Sequence, residues 1–385
     1  MRAIRFTDCV SSSLVDYSVE FDDTGFEIKR SHWGYSGWEP VKNPDDALLL
    51  KAKYHLAISH GPHAQLIRAT LEAVRDGAVE IERMIREEPR KAFKRVLHGR
   101  RQKAILNIDR LAERRAIKKI ESMLHGQSCK PLIFGEETYL PESFDLSRVD
   151  TPVVSLDMVD GTDELEQGTD LWCSAATVYL PKDDHILASF VAVPGRGMYF
   201  ATGGLVGRCR HRKGSLSPEV FKLDGPSRVE RISESLLACY GHKGGRLNAM
   251  FDHPGYRDLI GHQLASTRGR IRTEAGNPWI IRMVDGFQFR RPDAVFDLFG
   301  QAPHDIVPAA DIAIKTGAIM LKMDGSPIRP GSLLRQPVSS VARVPYILAN
   351  PKLAARIQKS LSAGSWDREL TVAHKGFLTQ AVRIH

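Results

Sequence analysis

Two aspartates and a threonine that follow a short apolar run could hold a metal ion and an anion. The β-branched and apolar residues at 153–156 predict a buried strand, which runs into Asp157 and ends at Asp160-Gly161-Thr162. Carboxylate oxygens suit Mg²⁺, Mn²⁺ or Ca²⁺, so Asp157 and Asp160 could converge on one cation or bridge two. Gly161 lets the backbone approach a ligand closely, and Thr162 offers a hydroxyl and an amide where anions are favoured.

The same residues also have a plain structural interpretation. Asp-Gly is a common tight turn, and Thr162 could simply cap a helix. Acidic residues at other element ends favour the binding site instead. Glu136 and Glu137 directly follow an apolar strand at 132–134, and two adjacent carboxylates repel each other unless a cation or arginine is near. Asp305 precedes an apolar helix, where an N-cap is expected.

Apolar spacing defines the elements that must position these acids. Apolar residues that recur every three or four positions predict long amphipathic helices over 63–88 and 108–124. Asp109 and Glu113 lie one turn apart beside the apolar stripe of the second helix, where acids are usually surface charges. Three strands at 173–180, 185–193 and 198–201 predict an antiparallel meander, and 203–230 is interpreted as a long loop or divergent edge.

The two ends of the chain have different patterns. Alternating apolar and polar residues at 18–21 and 26–29, on either side of Asp-Asp-Thr-Gly, predict a β-hairpin. After about residue 236, strand and helix patterns alternate, which favours an α/β layer.

Composition limits the class of protein. The 385 residues are 42% apolar, as in ordinary globular proteins. We find no signal peptide and no apolar run long enough to span a bilayer. The five scattered cysteines include no Cys-x-x-Cys pair, so reduced thiols in a cytoplasm are expected rather than disulfides or a zinc site.

The net charge of +8 is concentrated in one basic run between residues 90 and 103. Its seven lysines and arginines account for +7, which leaves +1 for the rest of the chain. Only Phe93 is interleaved among them, whereas nucleic-acid binders usually combine basic and aromatic residues. A solvated surface is therefore the favoured interpretation for most of this run.

Taken together, the acidic motifs resemble those of the inositol monophosphatase family. This family belongs to the Mg²⁺-dependent, lithium-sensitive phosphatases, which include 3′(2′),5′-bisphosphate nucleotidases and fructose-1,6-bisphosphatases. Gly135-Glu136-Glu137 matches the family's Gly-Glu-Glu, and Asp157 to Thr162 matches Asp-Pro-x-Asp-Gly-Thr. The segment from His304 to Ala310 is similar to Trp-Asp-x-Ala-Ala.

The resemblance covers about residue 60 to the C-terminus and implies a fold. That fold is an α/β (α+β) protein, a layered α/β/α/β/α sandwich of the inositol monophosphatase or fructose-bisphosphatase type. We expect an N-terminal extension at 1–52, an α+β half with the metal-site loops at 53–202, and a smaller α/β half supplying Asp305 at 203–385.

The resemblance also implies roles for individual residues. Glu136, Asp157 and the carbonyl of Val159 would hold one Mg²⁺, and Asp157, Asp160 and Asp305 a second. Two or three ions are expected per site, and Mn²⁺ is a possible substitute. The residues implied in catalysis are Thr162, Asp109 and Glu136. The residues implied in substrate binding are Gly161, Thr162, Asp160, Asp305 and Asn277.

Departures from the family pattern affect the substrate more than the chemistry. Met158 replaces Pro, His304 replaces Trp, and Asn277 stands where Arg-x-x-Gly-Ser has its Ser. Asp163-Glu164-Leu165 is closer to the Lys-Glu-Phe of the bisphosphate nucleotidases than to the Thr-Asn-Phe of the inositol branch. A nucleotide or sugar bisphosphate is therefore slightly favoured over inositol phosphate.

The sequence thus predicts a Mg²⁺-dependent phosphomonoesterase that acts on a small phosphorylated metabolite. The alternative is a catalytically silent relative that binds a phosphorylated ligand or a partner. We expect a cytoplasmic homodimer with neither nucleic-acid nor membrane partners.

Overall fold

A computed structural model describes thirteen segments of the chain, which are 2–10, 13–22, 25–32, 37–98, 103–127, 130–138, 145–210, 218–241, 244–264, 268–274, 276–285, 291–335 and 343–362. The chain divides into two compact units, Met1–Leu140 with Ser147–Leu223 and Pro141–Leu146 with Asp224–His385. Each unit has its own sheet and hydrophobic core. The three-part division inferred from the sequence stays a prediction.

The first unit holds thirteen strands and five helices among the described residues. The strands are β1 Arg2–Val10, β2 Ser13–Asp22, β3 Gly25–His32, β4 Glu39–Pro40, β5 Arg95–His98, β6 Lys103–Leu106, β7 Leu132–Gly135, β8 Val153–Asp160, β9 Cys173–Leu180, β10 His185–Val193, β11 Gly197–Thr202, β12 Leu205–Arg210 and β13 Glu219–Phe221. The helices are α1 Asp46–Ser59, α2 Ala64–Glu87, α3 Pro89–Ala92, α4 Asn107–Met123 and α5 Thr162–Glu166.

The N-terminal strands form a four-stranded sheet in the order β1-β2-β3-β4. Strands β2 and β3 are an antiparallel pair in which Phe21 faces Phe26, at the position of the predicted hairpin. Alternate residues such as Tyr17 and Val19 share a small core with Ala52 of α1. The sequence analysis missed α1, because its three consecutive leucines give no helical stripe. The aromatic residues Trp33 and Tyr35, which follow the hairpin in the sequence, lie outside the described residues.

A seven-stranded sheet, β13-β12-β11-β10-β9-β8-β7, dominates the first unit. All neighbours are antiparallel except β7 and β8, which are parallel. The predicted meander of β9, β10 and β11 is confirmed. Of the two interpretations of 203–230, a long loop or a divergent edge, the second holds for β12 and β13, which form one edge of the sheet. The bounds of these two strands had no signal in the sequence, because their residues show no apolar alternation.

Helices α2 and α4 pack together on this sheet, and both agree with the predicted helices within two residues. Their apolar stripes meet strand residues such as Leu156, Ala176 and Phe190 in one continuous core. Because these strand residues alternate with residues on the opposite face, the core fixes which strand side chains can face away from the helices.

The second unit is an α/β layer, as the alternating pattern predicted. Its strands are β14 Leu236–Cys239, β15 Arg270–Arg272, β16 Ala294–Asp297, β17 Ile319–Leu321 and β18 Tyr346–Ala349. Its helices are α6 Gly244–Asp252, α7 Pro254–Leu264, α8 Asn277–Val284, α9 Pro303–Lys315, α10 Pro330–Leu334 and α11 Pro351–Ser362. The sheet has the order β15-β14-β16-β18-β17.

Buried residues hold this layer together. Leu237, Phe296 and Ile347 of the sheet pack with Tyr256 of α7 and Ile357 of α11. Helices α8 and α9 pack against each other; α8 contacts β16, and α9 contacts β17. The α/β fold class is therefore confirmed. Within the described segments, the helices are too short or too polar to cross a bilayer.

Replacing Ile81 by alanine should lower the free energy of unfolding by about 2–5 kcal/mol, because a buried aliphatic side chain is lost from the α2 core. Ile81 is fully buried, whereas Val79 on the same helix is 61% exposed. Val79→Ala is the matched control and should change the free energy by less than about 0.5 kcal/mol. Urea denaturation measures both, and equal effects would contradict the orientation of α2.

Candidate functional site

Strand β8 carries a β-bulge between its two aspartates. Asp157 is opposite Ala175 of β9, and Asp160 is opposite Cys173. The four residues from Asp157 to Asp160 therefore match only three residues of β9, so β8 has one extra residue here. In a regular strand, residues three apart point to opposite faces of the sheet. The extra residue in the bulge removes this difference, so Asp157 and Asp160 lie on the same face.

Side chains satisfy the backbone groups that the bulge displaces from the ladder. The Val159 amide donates to Asp157 Oδ1 at 3.1 Å, and Thr162 Oγ1 donates to the Val159 carbonyl at 2.9 Å. Ser174 Oγ donates to the Met158 carbonyl at 2.7 Å. Buried backbone groups without partners are costly, so these three bonds stabilise the bulge.

The thiol of Cys173, which lies opposite Asp160 in the sheet, is close to both carboxylates. Burial raises the pKa of this thiol well above its usual value, and the charges of Asp160 and Asp157 raise it further. Asp157 is itself only 3% exposed, and Asp160 is half-buried. The two carboxylates therefore share a weakly solvated region, where their charges interact strongly.

Gly161 is required on two grounds where β8 turns into α5. Its φ of 95° lies in the left-handed region that side chains rarely adopt. A Cβ at this position would lie 2.7 Å from the Leu171 carbonyl oxygen and 3.1 Å from Trp172 Cα. Gly161 is also the N-cap of α5, so Thr162 is the first helical residue and the interpretation of Thr162 as an N-cap is wrong.

Met158, which departs from the family pattern, points into the helix-facing core. It is 2% exposed and lies against Gly77 of α2, where an added Cβ would clash with Met158 Cε. The absence of a side chain at Gly77 therefore leaves room for the Met158 methyl group. Neither residue supplies a group to the carboxylate face.

Glu136 follows β7 directly, at the edge where the parallel strands β7 and β8 end. Gly135 is in register with Leu156, so Glu136 follows β7 at the level at which Asp157 occurs in β8. Glu136 is half-buried and Glu137 is 6% exposed. The sheet thus brings two predicted metal ligands to neighbouring positions, as expected for the carboxyl ends of parallel strands.

Glu113 of α4 holds this turn in place. It is only 2% exposed, and its carboxylate accepts the Glu137 amide at 2.9 Å and the Thr138 hydroxyl. A Cβ at Gly135 would clash with the same carboxylate. The expectation that Glu113 is a surface charge is therefore wrong, because the turn directs its amide and hydroxyl donors at the helix.

Asp109 lies one turn before Glu113 and is half-buried in the first turn of α4. The sequence predicted a pairing of Asp109 with Thr162. In the structure the Thr162 hydroxyl donates to Val159, so the pairing with Asp109 stays a prediction.

Asp305 is the third residue of α9, and the expectation that it is the N-cap is wrong. The N-cap is Ala302, and the helix begins at Pro303 because proline suits the first helical position. The Asp305 side chain is 26% exposed, and its Oδ1 lies 3.1 Å from His304 Nε2. A carboxylate in the first turn is also favoured by the helix dipole.

Asn277 lies in the second unit with Asp305, and its side chain is bonded to the same helix. Asn277 Nδ2 donates to the His304 carbonyl at 2.9 Å, and Asn277 Oδ1 accepts the Ala309 amide at 3.0 Å. Asn277 is fully buried. Its assignment to substrate binding stays a prediction.

The described residues contain no group of three or more His, Cys, Asp or Glu side chains that could hold a metal ion. Within the first unit, the donors brought together are Asp157 and Asp160 with the Val159 carbonyl, and Glu136, which follows β7 at the level of Asp157. Asp305 belongs to the second unit. The donor types fit a hard cation, since all are carboxylate or carbonyl oxygens.

The structure describes four basic side chains of the run, and two of them are paired with carboxylates. Arg95 donates to Glu166 at 2.9 Å, and Lys91 to Glu88 at 2.6 Å. Arg100 and Arg101 lie outside the described residues, as does the side chain of Lys103.

Cys173, Cys209 and Cys239 are free thiols, as predicted, whereas Cys129 and the Cys9 side chain are not described.

Sequence reasoning missed Ser174 and Glu113 as supports of the site. Ser174 lies in an apolar strand and gave no signal. Glu113 could have been noticed, because it falls between Ala112 and Ala116 of the buried stripe. Pro308, inside an otherwise regular helical pattern, was the sign that the His304 carbonyl needed a donor from elsewhere.

Replacing Glu113 by alanine should lower the free energy of unfolding by about 1–3 kcal/mol, since it leaves the buried Glu137 amide without its acceptor. The control is Glu121→Ala on the exposed side of α4, which should change it by less than about 0.5 kcal/mol. Thermal and urea denaturation measure both variants. A Glu113→Ala protein as stable as Glu121→Ala would show that Glu113 does not hold the turn.

Comparison with known proteins gives matches in structure rather than in sequence. No protein-family model matches the chain, and no curated protein matches it. The extragenic suppressor protein SuhB from Bartonella henselae is similar with a TM-score of 0.54 at 13% identity, covering 78% of this chain and 99% of SuhB.

Two structures of SaIMPase-II are similar to the same degree. The one with inositol monophosphate bound has a TM-score of 0.53 at 14% identity and covers 80% of this chain and 98% of its own. The one with 2′AMP bound has a TM-score of 0.54 at 14% identity and covers 79% and 96%. This chain therefore has the fold of the inositol monophosphatases, as its motifs predicted.

Proposed function

We propose that this chain is a Mg²⁺-dependent phosphomonoesterase that hydrolyses a small phosphorylated metabolite with water as nucleophile. The observation that carries the proposal is the bulge in β8, through which Asp157 and Asp160 share one face beside the Val159 carbonyl. These are hard oxygen donors of the kind that Mg²⁺ and Mn²⁺ prefer. The inositol monophosphatase fold supports the same class of activity.

The site would hold two or three Mg²⁺ ions, which Mn²⁺ would be able to replace. Glu136, Asp157 and the Val159 carbonyl would hold one ion, and Asp157, Asp160 and Asp305 a second. The Val159 carbonyl has two lone pairs, so it can accept from Thr162 and still bind a cation. Bound Mg²⁺ would act as a Lewis acid on the phosphoryl oxygens, make water more acidic and stabilise the leaving alkoxide.

Backbone amides and side chains of the protein would carry out the remaining steps of the reaction. The backbone amides of Gly161 and Thr162 would bind the phosphate oxygens. The Thr162 hydroxyl, with Asp109 and Glu136, would orient the attacking water and accept its proton. Attack in line with the ester bond transfers the phosphoryl group to water, so the products are inorganic phosphate and an alcohol, without a phosphoenzyme.

The substrate class is a nucleotide bisphosphate, a sugar phosphate or an inositol phosphate. SaIMPase-II, which shares the fold, binds inositol monophosphate and 2′AMP. Asp163-Glu164-Leu165 favours a bisphosphate among these. A panel containing one member of each class would rank them by kcat/KM.

We also propose a cytoplasmic homodimer that binds neither nucleic acid nor membranes. The paired basic residues Arg95 and Lys91 support a solvated surface rather than a nucleic-acid interface. Light scattering would measure the oligomeric state, and a salt-independent lack of oligonucleotide binding would agree with the proposal.

Asp160→Asn should reduce Mg²⁺-dependent phosphate release by at least about 100-fold. Loss of a group that hydrogen-bonds to a metal ligand typically lowers metal affinity or activity by about 10–100-fold, and loss of a ligand itself should lower activity more. The control is Asp183→Asn, an exposed residue in the turn between β9 and β10, which should retain most of the activity. The measurement is phosphate release from the substrate panel with and without Mg²⁺.

Two results would contradict the proposal. Wild-type protein that releases no phosphate from any substrate, although it is folded and loaded with Mg²⁺, would favour the silent, ligand-binding alternative. Equal loss in Asp160→Asn and Asp183→Asn would show that the loss is not specific to the proposed ligand.

Substitutions at Thr162 separate its two roles. Thr162→Ser keeps the hydroxyl and should keep kcat within a few-fold, whereas Thr162→Val should reduce kcat by about 10²–10⁴-fold if the hydroxyl takes part in proton transfer. If the hydroxyl only stabilises the bulge, Thr162→Val would lower the melting temperature and leave kcat unchanged, which would contradict the catalytic assignment.

A further inference from the structure

Helix α9, which carries Asp305, contains a proline in its interior. Pro308 has no amide hydrogen, so it cannot donate to the carbonyl four residues earlier, which is that of His304. His304 is only 9% exposed. A buried carbonyl that loses its helical donor needs another one, because water cannot easily replace it.

Asn277 provides this donor and also binds the next amide of the helix. Its Nδ2 lies 2.9 Å from the His304 carbonyl, and its Oδ1 lies 3.0 Å from the Ala309 amide. The side chain is fully buried at the start of α8. One amide group therefore spans the segment from His304 to Ala309, on both sides of Pro308.

We propose that Asn277 is a positioning residue for Asp305. Its amide replaces the backbone bonding that Pro308 interrupts, and this fixes the first turn of α9 in one conformation. Asp305 lies inside the spanned segment, directly after His304, whose ring is 3.1 Å from the Asp305 carboxylate. The direction in which Asp305 presents its carboxylate thus depends on Asn277.

This inference rests on the proposed function for its consequence, since Asp305 is assigned there to a metal ion. It differs from the assignment of Asn277 to substrate binding. Both the nitrogen and the oxygen of the amide are bonded to α9, and the side chain has no exposed surface. Hydrogen bonds of this kind around metal ligands typically change affinity 10–100-fold when removed.

The test uses the full chain and Mn²⁺ as the probe, followed by the electron paramagnetic resonance signal of the free ion. Asn277→Ala should weaken Mn²⁺ binding by about 10-fold or more. Amide exchange over residues 303–310 should become faster, because the His304 carbonyl and the Ala309 amide lose their partner. In hydrolysis assays kcat should fall at saturating substrate, with KM nearly unchanged.

A second substitution should rescue the first. Pro308→Ala returns an amide hydrogen that can donate to the His304 carbonyl as in a regular helix. The double variant Asn277→Ala/Pro308→Ala should therefore recover most of the lost Mn²⁺ affinity and exchange protection. A role of Asn277 in contacting substrate gives no reason for such a rescue.

Asn350→Ala is the matched control, because Asn350 makes the same kind of bonds in the same unit. It is 9% exposed, accepts the Leu353 amide of α11 at 3.0 Å and donates to the Val229 carbonyl at 2.7 Å. Its loss should lower the melting temperature without weakening Mn²⁺ binding.

Three outcomes would overturn the inference. These are wild-type Mn²⁺ affinity in Asn277→Ala, equal weakening in Asn350→Ala, and a rise in KM alone that Pro308→Ala does not correct. Failure of the proposed function looks different: the wild-type protein would release no phosphate, while the exchange and rescue measurements on α9 would still give their expected results.

Discussion

The additional residue in β8 is the constraint on which the candidate site depends. Without it, Asp157 and Asp160 would point to opposite faces of the sheet, and one of them would enter the core beneath α2 and α4. With it, Met158 fills that core against Gly77, while both carboxylates face away from the helices. The apolar packing of one face and the acidic character of the other therefore depend on the same irregularity.

The acidic segments share a second feature: irregular backbone held by a buried side chain from another part of the sequence. Ser174 binds the bulge, Glu113 binds the turn after β7, and Asn277 binds the first turns of α9. Irregular backbone leaves amides and carbonyls without regular partners, and burial makes each of them costly. The supporting side chains offset that cost and restrict each acidic segment to one conformation.

The fold is retained at 13–14% identity to the inositol monophosphatase structures, which agrees with how the chain is stabilised. The large sheet and its helix pair need apolar residues with the right period and volume, and many sequences satisfy that requirement. Close packing is met locally, as where Met158 lies against Gly77 on the facing helix. The acidic residues would have less freedom in the proposed cation site, because carboxylate oxygens cannot be exchanged for apolar atoms there.

The sequence by itself determined the elements whose signal is local. The stripes of α2 and α4, the meander of β9 to β11 and the strand leading to Asp157 all follow from residues close together in the chain. Motifs of a few residues also led to the prediction that their acids form one site, which stays a prediction. The sequence did not show α1 or the bounds of the edge strands β12 and β13, whose residues lack a clear period. Only the tertiary structure decided that Glu113 is buried and that Asn277 binds α9. Those facts depend on hydrogen bonds between residues far apart in sequence, such as Glu113 with Glu137 and Asn277 with Ala309, and no local pattern of side chains encodes them.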